Sequence, residues 1–340
     1  MPFRLSNRIK GVMNHGPLCK AVILLCVTAA AAWPQSLPLP TPGPESQFQS
    51  PRNQAPPSQV QQTPPPQLAL PALPPLPQDA NEYVSQAIEH ELAAQASDHA
   101  RWRYHYHRED EKNNTDRDVI ETSEGSLART LLVWGHPLTA DQRQKDVERM
   151  RKQVSDVEER ARIAKRNKED DEKVGKMLRA IPKALTFTYS GEENGLVKLA
   201  FVPNPHYEPP TMEQKIFRSL NGTLYINRAQ NRLAGVEGTL FEDVNFGWGI
   251  LGRLYKGGTF KVTMQDLGDG HWEQCTEEIN MIGRAVLFKT ITRKQKEIFS
   301  DYHRMPDSIT MSQAFEILQK DSGSVSVSSV QAAVQSQERR

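Results

Sequence analysis

At 340 residues the chain is long enough for two domains, but composition withdraws about a third of it from folding. Charge is balanced, 42 Lys and Arg against 41 Asp and Glu for a net +1, and no strongly basic face can be traced, so nucleic acid is excluded as a partner. Three cysteines, Cys19, Cys26 and Cys275, are too few for a disulfide framework.

Arg4, Arg8, Lys10 and Lys20 precede or abut an apolar run from Ala21 to Ala32. Basic residues, a short apolar core and small residues at its end predict a secretory signal peptide over residues 1–32, cut near Ala32, in preference to a retained anchor. The run falls short of the about 20 residues that a membrane span needs. Leu25 stands before Cys26 where a lipidated cysteine requires a small neighbour, so no lipobox is read and the expected product is a soluble periplasmic or secreted protein. Cys275 is then its one thiol. Residues 33–78 hold 15 of the 24 prolines among Gln and Ser, which predicts an extended, disordered spacer, with a ligand for a proline-binding partner as the alternative.

The foldable part is expected over residues 79–320. Asn81 caps a helix reaching Ala100, with Tyr83, Ala87, Ile88 and Leu92 at helical spacing. Trp102, Tyr104 and Tyr106 then alternate with Arg103, His105 and His107, a strand with an aromatic face and a basic one. His105 and His107 project together, yet no third or fourth ligand follows, so they are expected to face solvent and neither metal nor cofactor is implied. Asn113 to Asp116 reads as a turn, followed by strands through Val119 and Ile120 and from Leu131 to Trp134.

Thr139 and Gln142 form a capping box for a helix in which 21 of the 33 residues from Asp141 to Lys173 are charged. Val147, Met150, Val154, Val157, Ala161 and Ala164 make a narrow apolar stripe, read as packing on the sheet rather than as a coiled coil because two of the six are Ala. Val174, Met177, Leu178 and Ile181 continue the helix until Pro182 stops it.

From about Leu185 to Tyr302 an antiparallel β-meander is predicted. Leu185, Phe187 and Tyr189, then Val197, Leu199 and Phe201, then Phe260, Val262 and Met264 alternate with polar or small residues, giving one greasy face and one wet face. Pro203 to Pro210 interrupts it as an ordered loop at the sheet edge. Asn221-Gly222 and Asp269-Gly270 read as hairpin turns, Leu224–Asn227, Leu233–Phe246, Thr259–Asp266, Trp272–Ile282 and Ala285–Lys296 as strands. Ser308 opens a short helix, and residues 321–340 read as a disordered tail. The fold class is α+β, an antiparallel meander whose greasy face must be covered.

Motifs for catalysis are missing. Gly247 to Gly252 spells a dinucleotide fingerprint, but Gly257-Gly258 and a strand follow in place of the helix that would receive a pyrophosphate. Cys275 lies on a strand with no adjacent cation and reads as a packed side chain. Glu242, Asp243 and Glu278 are not paired for acid/base work, and only His105, His107 and His136 would serve an enzymatic reading. No enzyme is expected.

The order of elements, with Trp102-Arg-Tyr-His-Tyr106, Leu131-Leu-Val-Trp-Gly-His-Pro-Leu138, Gly222-Thr-Leu-Tyr-Ile-Asn227 and Phe246-Gly-Trp-Gly-Ile-Leu-Gly-Arg-Leu254, resembles the outer-membrane lipoprotein carrier (LolA-like) superfamily over about residues 81–305. That resemblance implies a curved meander, an incomplete barrel closed by helices over an apolar cavity for acyl chains. The spacer, the charged helix and the proline loop depart from it. Candidate liners are Trp102, Tyr104, Tyr106, Trp134, Phe187, Tyr189, Leu199 and Phe201. Two functions are then in view: a lipid or lipoprotein acyl-chain binder with a cavity of several hundred Å³, or an envelope interaction or sensor protein with a filled core. The second would meet a protein partner through the charged helix or through Trp248, Ile250 and Leu251.

Overall fold

Residues alternating between two faces build most of the structure, because strands dominate it. The computed structural model describes residues 75–246, 252–285 and 289–320. The predicted signal peptide, nearly all of the spacer, the tail, and the stretch holding Trp248, Ile250 and Leu251 lie outside the described residues.

Along the chain come α1 (Ala80–Ser97), β1 (Arg101–Asp110), β2 (Asn113–Thr122), β3 (Gly125–Val133), β4 (His136–Pro137), α2 (Ala140–Ser155) and α3 (Val157–Ala184). Next are β5 (Leu185–Glu193), β6 (Leu196–Pro203), a 3₁₀ helix (Glu213–Ser219), β7 (Leu220–Asn227), β8 (Arg232–Leu240), β9 (Val244–Phe246) and β10 (Gly252–Leu254). Last are β11 (Thr259–Gly268), β12 (His271–Ala285), β13 (Lys289–Met305) and α4 (Met311–Lys320).

All the described strands join one antiparallel sheet of order β4-β3-β2-β1-β13-β12-β11-β8-β7-β6-β5, with β10 pairing β12 and β9 beside that path. The sheet is open, its path ending at β4 and at β5. Its first four strands are a separate meander that joins the second through β1 and β13, with Tyr106 opposite Phe299. The sequence pattern gives strands but not this long-range pairing.

Several boundaries differ from the sequence reading. Asn113 to Asp116 is strand, paired with β1 so that His107 stands opposite Asp116, and the turn lies at Glu111-Lys112. Asn221 and Gly222 also lie within a strand, opposite Thr239 and Gly238. A hairpin turn falls instead at Asn194-Gly195, where both residues have positive φ, 51° and 75°. Asp269-Gly270 is a turn as predicted, with φ of 52° and 82°. The Leu233–Phe246 strand is interrupted after Leu240. Pro182 lies inside the last turn of α3, and α4 starts at Met311, with Thr310 and Gln313 capping each other.

The long charged helix is two helices. Asp156 ends α2 by giving its N–H to the Lys152 carbonyl (2.9 Å) and starts α3 by accepting the Glu159 N–H (2.9 Å). The apolar stripe stops there. Val147, Met150 and Val154 pack with Ile120, Leu127, Ile309, Met311, Ala314 and Leu318, whereas Val157 is 65% exposed and Ala161 and Ala164 are exposed too.

Three apolar clusters result among the described residues. The largest joins Val84, Ala87 and Ile88 of α1 and Val174, Met177 and Leu178 of α3 to apolar residues of β5–β8, β11 and β12. A second holds Trp102, Tyr104, Tyr106, Val119, Ala128 and Phe299. The third is the packing of α2 and α4 just described.

Candidate functional site

The site grows from one register row. Across six strands from β5 to β12 the facing residues are Phe187, Phe201, Gly222, Gly238, Phe260 and Ile279. The two glycines leave bare backbone between flanking phenylalanines. A Cβ at Gly222 would stand 2.7 Å from Cζ of Phe201, and one at Gly238 2.8 Å from the ring of Phe260, so each ring occupies the space over its neighbouring glycine.

Over this row lie Ile88 of α1, Leu178 and Ile181 of α3, and Ile216 and Phe217 of the 3₁₀ helix. Leu185, Leu220, Leu224, Leu233 and Val236 complete the wall of a pocket of about 50 Å³. Every lining residue is apolar. Such a space holds no group able to orient a polar ligand or move a proton, and water has no partners in it. Its chemistry is limited to accepting hydrocarbon. Ligand pockets commonly measure about 300–1,000 Å³. This one is therefore nearly filled by its own side chains.

Polar clamps fix two of its sides. Asn81 at the start of α1 donates to the carbonyls of Pro182 and Leu185 (both 2.7 Å) and accepts from the Phe187 N–H (2.9 Å), tying α1, α3 and β5 together. One turn beyond Ile88, the fully buried Glu91 meets Arg232, 6% exposed, at 2.8 and 3.1 Å, and Arg232 also donates to the Gly270 carbonyl. The 3₁₀ helix is held by Tyr207 donating to Gln214 (2.5 Å) and by the Phe241 N–H on the Ser219 carbonyl (3.0 Å). Tyr83 packs 6.2 Å from Tyr189, and burial, with Tyr189 adding, pushes its hydroxyl up to about 12.

The predicted liners divide. Phe187 and Phe201 line the pocket; Leu199 is buried in the same cluster, and Tyr189 packs beside it, its hydroxyl on the Pro77 carbonyl (2.8 Å). Trp102, Tyr104 and Tyr106 are buried elsewhere, in an aromatic ladder with Phe299 and Tyr302 whose ring centroids lie 5.1 to 6.1 Å apart. Burial holds the Tyr104, Tyr106 and Tyr302 hydroxyls well above the ordinary phenol range. Trp134 is no liner: it sits at φ 53° in the turn between β3 and β4 and is 45% exposed.

His105 and His107 do not face solvent either. Both are turned to Asp116, His107 Nδ1 at 3.0 Å and His105 Nε2 at 3.4 Å from the same oxygen. Burial raises the Asp116 carboxyl, but hydrogen bonds to His105 and His107 with their charges outweigh it and bring the group down to about 2. His136, exposed on β4 and opposite Val133, is not part of this cluster. Asp243 is paired, with Arg253 at 2.5 Å. No group of three or more His, Cys, Asp or Glu able to hold a metal occurs among the described residues.

Residues missed by pattern are chiefly Ile216 and Phe217. They follow a proline-rich loop and obey neither strand nor helix periodicity, so only adjacency to Pro203–Pro210 marked them.

On the opposite face an open trough of about 890 Å³ crosses β7, β8 and β11–β13. Its charged walls include Glu109, Glu237, Lys261, Glu278, Lys294 and Lys296, and Lys261 stands opposite both Glu237 and Glu278 in register. Among the described residues no helix is long and apolar enough to cross a membrane. Comparison with protein-family models, curated proteins and solved structures yields no match.

Proposed function

We propose that this chain is an exported, non-catalytic binding protein of the lipoprotein-carrier kind, a curved half-barrel whose apolar face is covered by α1 and the end of α3 and takes a hydrocarbon chain. The observation that carries this reading is the wholly apolar lining of the space between those helices, the 3₁₀ helix and the Phe-Gly-Gly-Phe row. A pocket lined only by hydrocarbon selects hydrocarbon. At about 50 Å³ the space is smaller than an acyl chain, so on this reading a bound chain requires the roof to move outward.

The full chain, exported from bacteria and purified, tests this by native mass spectrometry before and after mild organic extraction, followed by titration with a fluorescent fatty acid. Expected are a lipid mass that extraction removes, fatty-acid uptake by the stripped protein, and loss of both in a Leu178→Trp variant that still folds. A clean mass with no uptake sinks the reading.

The small volume favours one alternative, an envelope interaction or sensor protein of the same fold with a filled core. Its partner surfaces would be the polar trough or the exposed, charged first half of α3. Saturable binding of a protein partner, undisturbed by Leu178→Trp, would support it.

A further inference from the structure

The covered face of the sheet changes character where the two meanders join. Residues directly opposite one another across antiparallel strands share a face, so the row that holds Leu199, Leu224, Val236 and Val262 continues through Glu277, Glu297, Arg108 and Thr115. Hydrocarbon gives way to charge, and most of that charge is matched. Arg108 donates to Asp110 (3.0 Å) and to Gln295 (3.3 Å), and Glu297 accepts from Gln295 (2.6 Å).

Arg117 is not matched. It lies two residues beyond Thr115 on the same face of β2, opposite Tyr106 on β1 and Thr130 on β3. It is half-buried, its Nε is buried with no acceptor, and it makes no hydrogen bond or ion pair with another described residue. The carboxylate beside it is already taken: Asp146 accepts from the N–H and hydroxyl of Thr130 (3.0 and 3.1 Å) and from Arg149 (2.9 Å). Burial lowers the pKa of Arg117, and the charges of Arg149 and Arg108 lower it further, against the opposing influence of Tyr106 and Asp146. The Thr115 hydroxyl is likewise buried without a partner. Burying donors without acceptors is costly, and a guanidinium presents a planar fork that fits carboxylate or phosphate oxygens two at a time.

We infer that Arg117 is the centre of an oxyanion site, with Thr115 Oγ1 as a second donor and Arg108 and Arg149 as flanking charges, and that its ligand presents a carboxylate or a phosphate. The site does not depend on the apolar pocket, whose wall contains none of these residues.

Calorimetric titration of the full chain with inorganic phosphate and with acetate, each at constant ionic strength in chloride, tests this. Saturable binding of at least one anion is expected, and the tighter of the two identifies the group the site prefers. Constant ionic strength separates a site from general screening. An Arg117→Met variant that still folds is expected to weaken that binding at least about tenfold, as loss of a charge-assisted pair of hydrogen bonds does. If that variant does not fold, Arg117→Lys, which keeps the charge and lacks the fork, is expected to weaken it several-fold. No saturable binding of either anion overturns the inference, and so does binding of undiminished strength in whichever variant folds.

Discussion

Glu91 and Arg232 are the residues whose removal should be felt most. Both are buried, and each satisfies the other with two contacts, so Arg232→Met would leave a carboxylate in the core without its partner. A loss of about 3–5 kcal/mol is expected, while Glu91→Leu/Arg232→Met, which removes both charges, should cost much less. Denaturant melts of the two variants check this, and equal losses would contradict it. Asp116 gives a second expectation. Its carboxyl titrates at about 2 in the folded protein and at 3.8 ordinarily, so the stability it contributes is full above pH 3.8 and drains away as pH falls toward 2. The amount is about 2 kcal/mol, and Asp116→Asn should flatten the acid-unfolding profile in that window. Gly222 carries a third. Alanine there would push its Cβ into Phe201 and the facing strand, with an expected cost of about 1–3 kcal/mol or more, read by thermal melts.

At the scale of elements, α2 and α3 show how far a periodic stripe can be trusted. Val147 through Ala164 keep helical spacing without interruption, yet only the residues before Asp156 are packed. Met150→Ala is therefore expected to cost about 2–5 kcal/mol and Val157→Lys less than about 0.5, although the two stand in the same stripe; chemical denaturation separates them. An aspartate that caps its own downstream helix is a local signal, and a continuous apolar period outvoted it in the sequence. The strands were legible because burial on one face imposes a period of two that no loop imitates. Asn221-Gly222 was misleading for the converse reason: the dipeptide suits a tight turn, but here the missing Cβ makes room for an aromatic ring on the sheet face. His105 and His107 escaped because their partner, Asp116, lies across a strand pair and inside a stretch that reads as a turn. Of the candidate liners, those on β5 and β6 fell in or against the pocket's cluster, since alternation alone places them on the covered face. Trp134 did not, because a strand's last residues obey the turn that follows rather than the face behind.

At the scale of the whole molecule, two meanders share one sheet, and the helices divide between them. The buried residues of α1 and of the end of α3 belong to the largest cluster, while those of α2 and α4 join Ile120 and Leu127 in the third. Only the order of elements was readable in advance. Which face each helix meets depends on the strand pairings, and pairing partners leave no mark on a single sequence.

The union of β1 with β13 has a consequence in time. Tyr106 meets Phe299 about 190 residues further along, so the aromatic ladder of Trp102, Tyr104 and Tyr106 can find its neighbour only once nearly the whole chain has been delivered. Until then one edge of the first meander is a sticky, hydrogen-bond-hungry border, open to any stray strand. Refolding should accordingly be slow, in the range of milliseconds to seconds or longer, and the yield should fall as protein concentration rises.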